Sequence, residues 1–220
     1  MKSYEAEKTE DLTNVIFLDI ETWAGDKPPI ELFEPKANLV DPLKILKDVE
    51  EKQDKAWRAQ SLNPLVGEVF CVGLAVDEGE PFVIVGTDEQ ETLEMLDIEL
   101  HNYSWPKVVA HNGFDFDFLF LFYRGLKYRM KRVVDLFSQK GPHLIDTMKI
   151  LDGTSWKTMT SQNNMSKLLL GRSGKGGITG KDVHDLILKG EGDRVLNYCK
   201  EDVRVLRDCY RVLESLGLHR

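Results

Sequence analysis

The chain has 220 residues, 42% of them hydrophobic and 30% charged, with a formal net charge of −8. That composition excludes a disordered or fibrous protein, and it leaves enough apolar material for a sizeable core in a single domain spanning 1–220. The acidic balance argues against a protein that coats nucleic acid by charge alone, although bound cations can neutralise an acidic site together with a phosphate.

Met1 to Lys8 holds no apolar stretch, so no signal peptide is expected. The longest apolar run, Phe114 to Tyr123, is interrupted by Asp115 and Asp117 and is far shorter than the ~20 residues of a spanning helix. A cytoplasmic protein without membrane contact is expected. Cys71, Cys199 and Cys209 form no Cys-x-x-Cys pair, which points to buried thiols rather than a disulfide framework or a zinc site.

In chain order, Val15–Ile20 reads as a buried strand. Residues 23–66 follow as an insertion: a Gly- and Pro-bearing loop, then a charged helix over 42–60 opened by Asp41 as N-cap and Pro42 at N1. Residues 67–76 and 81–85 read as a strand pair joined by a turn, and 88–100 as an amphipathic helix with Leu93, Leu96 and Leu100 on one face. A short strand over 107–111 and an apolar helix over 113–123 come next. Residues 144–151 start as a strand and turn helical near Asp146. Further helices are expected over 161–170, 182–189 and 193–216, with a glycine-rich loop at 171–180. The order favours an α/β fold with a mixed sheet and helices on its faces.

Three segments carry chemistry. Asp-x-Glu occurs three times, as Asp19-Ile20-Glu21, Asp48-Val49-Glu50 and Asp97-Ile98-Glu99. The last two fall on amphipathic helices, where charge is most simply a solvated face. The first follows an apolar strand, where residues two apart share a side, so the two carboxylates repel unless a cation lies between them. Asp115, in Asn112-Gly113-Phe114-Asp115, sits where a strand meets a helix. Asp117 competes with it, and Asp115 is preferred because it lies nearer the strand end. Tyr198 and Asp202 are four apart on a helix and share a face. The glycine-rich loop is no phosphate loop: Lys175 stands where the pattern needs glycine, and Asp182 stands where it needs Ser or Thr.

Together these segments resemble the DEDD superfamily of 3′–5′ exonucleases with the RNase H-like fold. Asp19 and Glu21 match the first motif, Asp115 the second, and Tyr198 with Asp202 the third in its tyrosine form, Asn197 standing where the other form has histidine. Phe114 to Leu119 is similar to the second motif of proofreading domains of family-B DNA polymerases, and small stand-alone phage and prokaryotic exonucleases resemble it too. The resemblance implies two divalent cations, Mg²⁺ or Mn²⁺, held by Asp19, Glu21, Asp115 and Asp202. It implies hydrolysis at the 3′ end of single-stranded DNA, with Tyr198 orienting the attacking water, because a free phenol of pKa ~10 is a poor base at working pH. It further implies that Thr22, Asn112 and Phe114 meet the terminal nucleotide, with Asp146 behind them, and that a replication or repair protein would be the partner if proofreading occurs in trans. RNA remains open as substrate, since the 2′-OH is read by local shape. So does a non-catalytic binding module, against which the presence of all five motif residues weighs. Trp23 and Trp156 are candidates for base stacking, and the basic clusters at 127–132 and at Arg172, Lys175 and Lys181 for strand contact.

Overall fold

The computed structural model describes residues 14–138, 141–153, 160–174 and 177–218, so the N-terminal residues 1–12, Lys175 and Trp156 lie outside the described residues. Five strands form one sheet: β1 (Val15–Trp23), β2 (Glu68–Val76), β3 (Phe82–Ile84), β4 (Lys107–Ala110) and β5 (Leu144–Asp146), in the order β3-β2-β1-β4-β5. β1 is antiparallel to β2 and parallel to β4, so the sheet is mixed and β1 lies at its centre. Eight α-helices accompany it among the described residues: α1 (Pro42–Gln60), α2 (Glu89–Leu100), α3 (Asp117–Tyr128), α4 (Lys131–Phe137), α5 (Thr147–Asp152), α6 (Gln162–Leu170), α7 (Gly180–Leu188) and α8 (Gly192–Ser215). The expected α/β architecture, with helices on a mixed sheet, is the one the chain forms.

The alternation of β1 explains its position. Ile16, Leu18 and Ile20 pack on one side, in the core that takes in α2, α3 and α4. Val15 and Phe17 face the other way, against Met165 of α6 and Leu206 and Tyr210 of α8. Each such side chain contributes about 1.5–3 kcal/mol when fully buried. By the two-residue period, the row begun by Val15 and Phe17 continues as Asp19 and Glu21. The strand thus turns from core to carboxylate on the α8 side. Gly73 of β2, opposite Asp19, lets α8 come close there. A Cβ at Gly73 would stand 2.7 Å from Cys199 Sγ and 2.8 Å from Val203 Cγ2.

The insertion between β1 and β2 carries α1, which starts where its capping signals predict. The Asp41 side chain accepts from Leu43 N at 2.9 Å, and Pro42 fills N1. The helix is tied to the start of its own insertion by Trp57 Nε1, which donates to the Gly25 carbonyl at 2.8 Å, and to α7 by the Arg58–Asp185 ion pair at 2.7 Å. Two elements differ from expectation. α3 begins at Asp117, not near 113, because the preceding turn is held by a distant carboxylate described below. α4 was not anticipated: its first N–H groups, on Arg132 and Val133, are satisfied by Asp97 of α2, a remote cap with no local signature. Among the described residues no helix is long and apolar enough to cross a membrane.

Candidate active site

Asp19 and Glu21 lie near the end of β1, just before a bulge between Glu21 and Thr22. Ligand atoms of Asp19, Glu21 and Cys199 lie within 4.8 Å of one another. Asp19 Oδ2 is buried and has no hydrogen-bond partner. Burial, then the charges of Glu21, Asp202 and Asp117, push the Asp19 carboxyl well above the usual carboxylate range. An unpartnered buried carboxylate oxygen among acids is a standing cost unless a cation enters. The carboxylate oxygens of Asp19 and Glu21 suit a divalent cation of the Mg²⁺ or Mn²⁺ kind, whereas the Cys199 thiol beside them is a soft donor turned to the Asp19 carbonyl.

α8 supplies the third segment. Val203 and Leu206 pack toward the sheet, and the helical repeat then places Tyr198 and Asp202 together at the cleft. Asp202 is buried, and its backbone carbonyl accepts from Gln162 Nε2 of α6 at 2.6 Å. The Tyr198 phenol hydrogen-bonds the Asp202 carboxylate. Burial first, then the charges of Asp202 and Glu21, raise the Tyr198 pKa far above its ordinary value, so the group stays protonated.

The second segment departs from expectation. Asp115 points away from this cluster: its side chain is 58% exposed and ion-paired with Lys149 Nζ at 2.5 Å. Asp117 is 3% exposed, and its Oδ1 accepts from Ile20 N of β1 at 3.1 Å, between Asp19 and Glu21 in sequence. Burial pushes the Asp117 carboxyl up to about 7. The reversal has a physical cause. Nearness to the strand end does not aim the side chain, since residues 112–116 form a turn in which Asn112 takes φ 66° and its carbonyl accepts from Phe116 N at 3.0 Å. The Asp146 carboxylate pins that turn through Asn112 N (3.0 Å) and Phe114 N (3.1 Å) while capping α5. Asp146 therefore positions the second segment from behind. No local signal separates the two aspartates, because Asp115 lies between Phe114 and Phe116 just as Asp117 lies between Phe116 and Phe118.

The remaining expected contacts divide. Asn112 keeps a buried Oδ1 without a partner, an acceptor free for a ligand, and Phe114 is half-buried with its ring 5.5 Å from Phe118. Thr22 is buried, and its Oγ1 donates to the Ser61 carbonyl at 2.6 Å, so the hydroxyl anchors the insertion. The basic cluster at 127–132 is largely consumed internally: Lys127 pairs with Glu89, Lys131 with Asp135, and Arg132 donates to the Leu100 carbonyl. Arg172 pairs with Asp208. Trp23 is engaged too, its Nε1 donating to Glu68 at 3.0 Å.

Residues 82–206, more than half of the chain, match the model of a family described as "Predicted 3'-5' exonuclease related to the exonuclease domain of PolB". The chain belongs to this family, and is thereby an enzyme of the 3′–5′ exonuclease class. Among solved structures it is similar to the family B DNA polymerase from the hyperthermophilic archaeon Pyrobaculum calidifontis, with a TM-score of 0.63 and 15% identity. That match covers 94% of this chain and 25% of the polymerase, so the chain spans a quarter of that protein's length and shares the fold of that quarter. The RNase H-like expectation is met by this likeness. No curated protein matches the chain.

Proposed function

We propose that the chain removes nucleotides from the 3′ end of single-stranded DNA, using divalent cations held by Asp19, Glu21, Asp117 and Asp202. The observation that carries this reading is the buried, unpartnered Asp19 Oδ2 among three further carboxylates. Asp117 replaces Asp115 in the set because it is buried against β1, whereas Asp115 is exposed and neutralised by Lys149. Bound cations would offset the negative charge of the site and the phosphate and make a water nucleophilic at neutral pH. Water adds at phosphorus, the bond to the 3′ oxygen of the preceding residue breaks, and the products are a nucleoside monophosphate and a strand one residue shorter. Tyr198, kept a phenol, holds the water by hydrogen bonding and leaves proton abstraction to other groups. The Asn112 Oδ1 acceptor and the Phe114 ring stand ready for the terminal nucleotide.

DNA is preferred over RNA on the likeness to a DNA polymerase. The test is a timed digestion of 5′-labelled single-stranded DNA with Mg²⁺ or Mn²⁺, beside Asp19→Ala and a matched RNA. A ladder shortening from the 3′ end, absent in the variant, is expected. An unchanged ladder with Asp19→Ala would overturn the site, and faster loss of RNA would overturn the substrate.

A further inference from the structure

Between the end of α1 and the start of α7 lies a cavity of about 390 Å³, within the usual size range of ligand clefts. Arg58, Ala59 and Leu62 line one side, and Lys181 and His184 of α7 the other. Ser61 also lines it, and its carbonyl accepts the Thr22 hydroxyl at 2.6 Å. Thr22 directly follows Glu21 in β1, so a segment that lines the cavity is hydrogen-bonded to the residue next to the carboxylates.

The His184 imidazole is 5% exposed, and neither ring nitrogen has a hydrogen-bond partner. Trp57 meets it edge-on at 4.6 Å between centroids, and Trp23 stacks at 6.3 Å. A buried imidazole without partners is an unsatisfied donor and acceptor that the fold itself does not answer. Leu62 is 70% exposed, an apolar side chain presented to solvent at the mouth. The turn that carries it is fixed: Asn63 N donates to the Gln60 carbonyl at 2.9 Å, and Gly67 N to the Asn63 carbonyl at 2.8 Å. Arg58 is shared between Asp54 and Asp185, whereas Lys181 forms no ion pair among the described residues. The uncompensated charge at the rim is therefore positive, over an interior of alkyl groups and one flat ring.

We propose that this cavity is a subsite for one unpaired nucleobase of the DNA strand, lying upstream of the phosphate that is cleaved. The inference rests on the proposed exonuclease function. The base packs against Leu62, Ala59 and the His184 ring, and Lys181 faces the backbone phosphate outside. Such a contact needs no particular base, because every base presents an apolar face.

The test is equilibrium binding of 5′-fluorescein-labelled (dT)₈ by anisotropy in Ca²⁺, with strand integrity checked on a gel. A single abasic residue is moved from the second to the sixth position from the 3′ end. In the wild type one position should weaken binding about tenfold, the loss of one stacked base. Leu62→Ala, an exposed change whose folding is checked by Tm, should bind the intact strand about tenfold more weakly and show no further loss at that position, because contacting groups are not additive. Absence of any abasic effect in the wild type, an equal effect in Leu62→Ala, or no measurable binding would each overturn the subsite. Shortening of the intact strand in Mg²⁺ is scored separately. A wild type that cleaves but shows no positional effect loses only the subsite. One that shows the positional effect but never cleaves keeps the subsite and loses the exonuclease reading.

Discussion

Asp48 on the insertion helix and Asp19 on the central strand occupy the same tripeptide pattern and meet opposite fates. Asp48 accepts from Lys36 N at 3.0 Å and pairs with Lys52 at 2.9 Å and Lys36 at 3.3 Å. Those partners, Lys52 first, hold its carboxyl down at about 2. Asp97, in the third copy, spends its Oδ1 capping α4. Asp19 has acids for neighbours, one oxygen with no partner, and a carboxyl pushed up. The fold supplies partners to two of the three aspartates and leaves an oxygen of the third without one. Such a deficit in a cleft marks a place where function has outweighed stability.

The largest expected effects come from breaking this contrast at the residues that create it. Asp19→Ala should lower kcat by at least about a thousandfold with an unchanged far-UV spectrum, and Asp117→Asn by about a hundredfold or more, since each removes charge that acts on the reacting phosphate. Asp115→Asn should stay within about threefold of wild type, because it touches only an exposed ion pair. Asp48→Ala should lower Tm and leave kcat intact. Steady-state rates on one labelled strand decide all four, and a larger loss in Asp115→Asn than in Asp117→Asn would return the fourth carboxylate to Asp115.

Tyr198→Phe keeps the ring and removes the hydroxyl that bonds Asp202. We expect kcat to fall about tenfold with KM unchanged, the pattern of an interaction used mainly in the transition state. A pH–rate profile separates positioning from base catalysis: a positioning phenol leaves its shape intact, and a changed alkaline or acid limb in the variant would make Tyr198 a proton carrier. Gly73→Ala probes the support beneath the site. The added methyl meets Cys199 and Val203, so a loss of about 1–3 kcal/mol in unfolding free energy is expected, with kcat falling as α8 shifts. A fully active, undiminished Gly73→Ala protein would show that the close approach of α8 is dispensable.

How far the sequence reaches follows from where each signal originates. The start of α1 is written locally, in Asp41-Pro42, and the structure begins the helix at Pro42. Val15–Ile20 announces a strand by composition, yet β1 continues to Trp23 because pairing with β2 carries the polar end along. The turn over 112–116 depends on Asp146, more than thirty residues away, so neither its shape nor the choice between Asp115 and Asp117 follows from nearness to the strand end. Thr22 was expected at the substrate, and its use as an anchor for Ser61 depends on the path of the whole insertion. Local chemistry is legible early; partnerships made across the fold are not.

The smallest and most diagnostic effect is on stability. The Asp117 carboxyl titrates near 3.8 when unfolded and at about 7 when folded, so between those values the folded chain holds a proton that the unfolded chain has released. Its contribution is complete below the lower value and is lost as pH rises through the upper one, with a slope of at most about 1.4 kcal/mol per pH unit for one proton. His184 runs the other way: burial lowers its pKa, so its contribution is present above 6.5 and is lost as pH falls below it. The window from pH 6.5 to 8 therefore lies clear of the His184 loss and straddles the upper Asp117 value. There the metal-free protein should lose about 2–4 °C in Tm per kcal/mol as pH rises. Asp117→Asn should flatten that slope. Mn²⁺ at a hundred times its Kd should add about 2.7 kcal/mol at pH 8, and none in Asp19→Ala. A metal-free Tm that climbs across this window in the wild type would mean that the cleft carboxylates are not held in their protonated form, and the contrast with Asp48 would lose its physical basis.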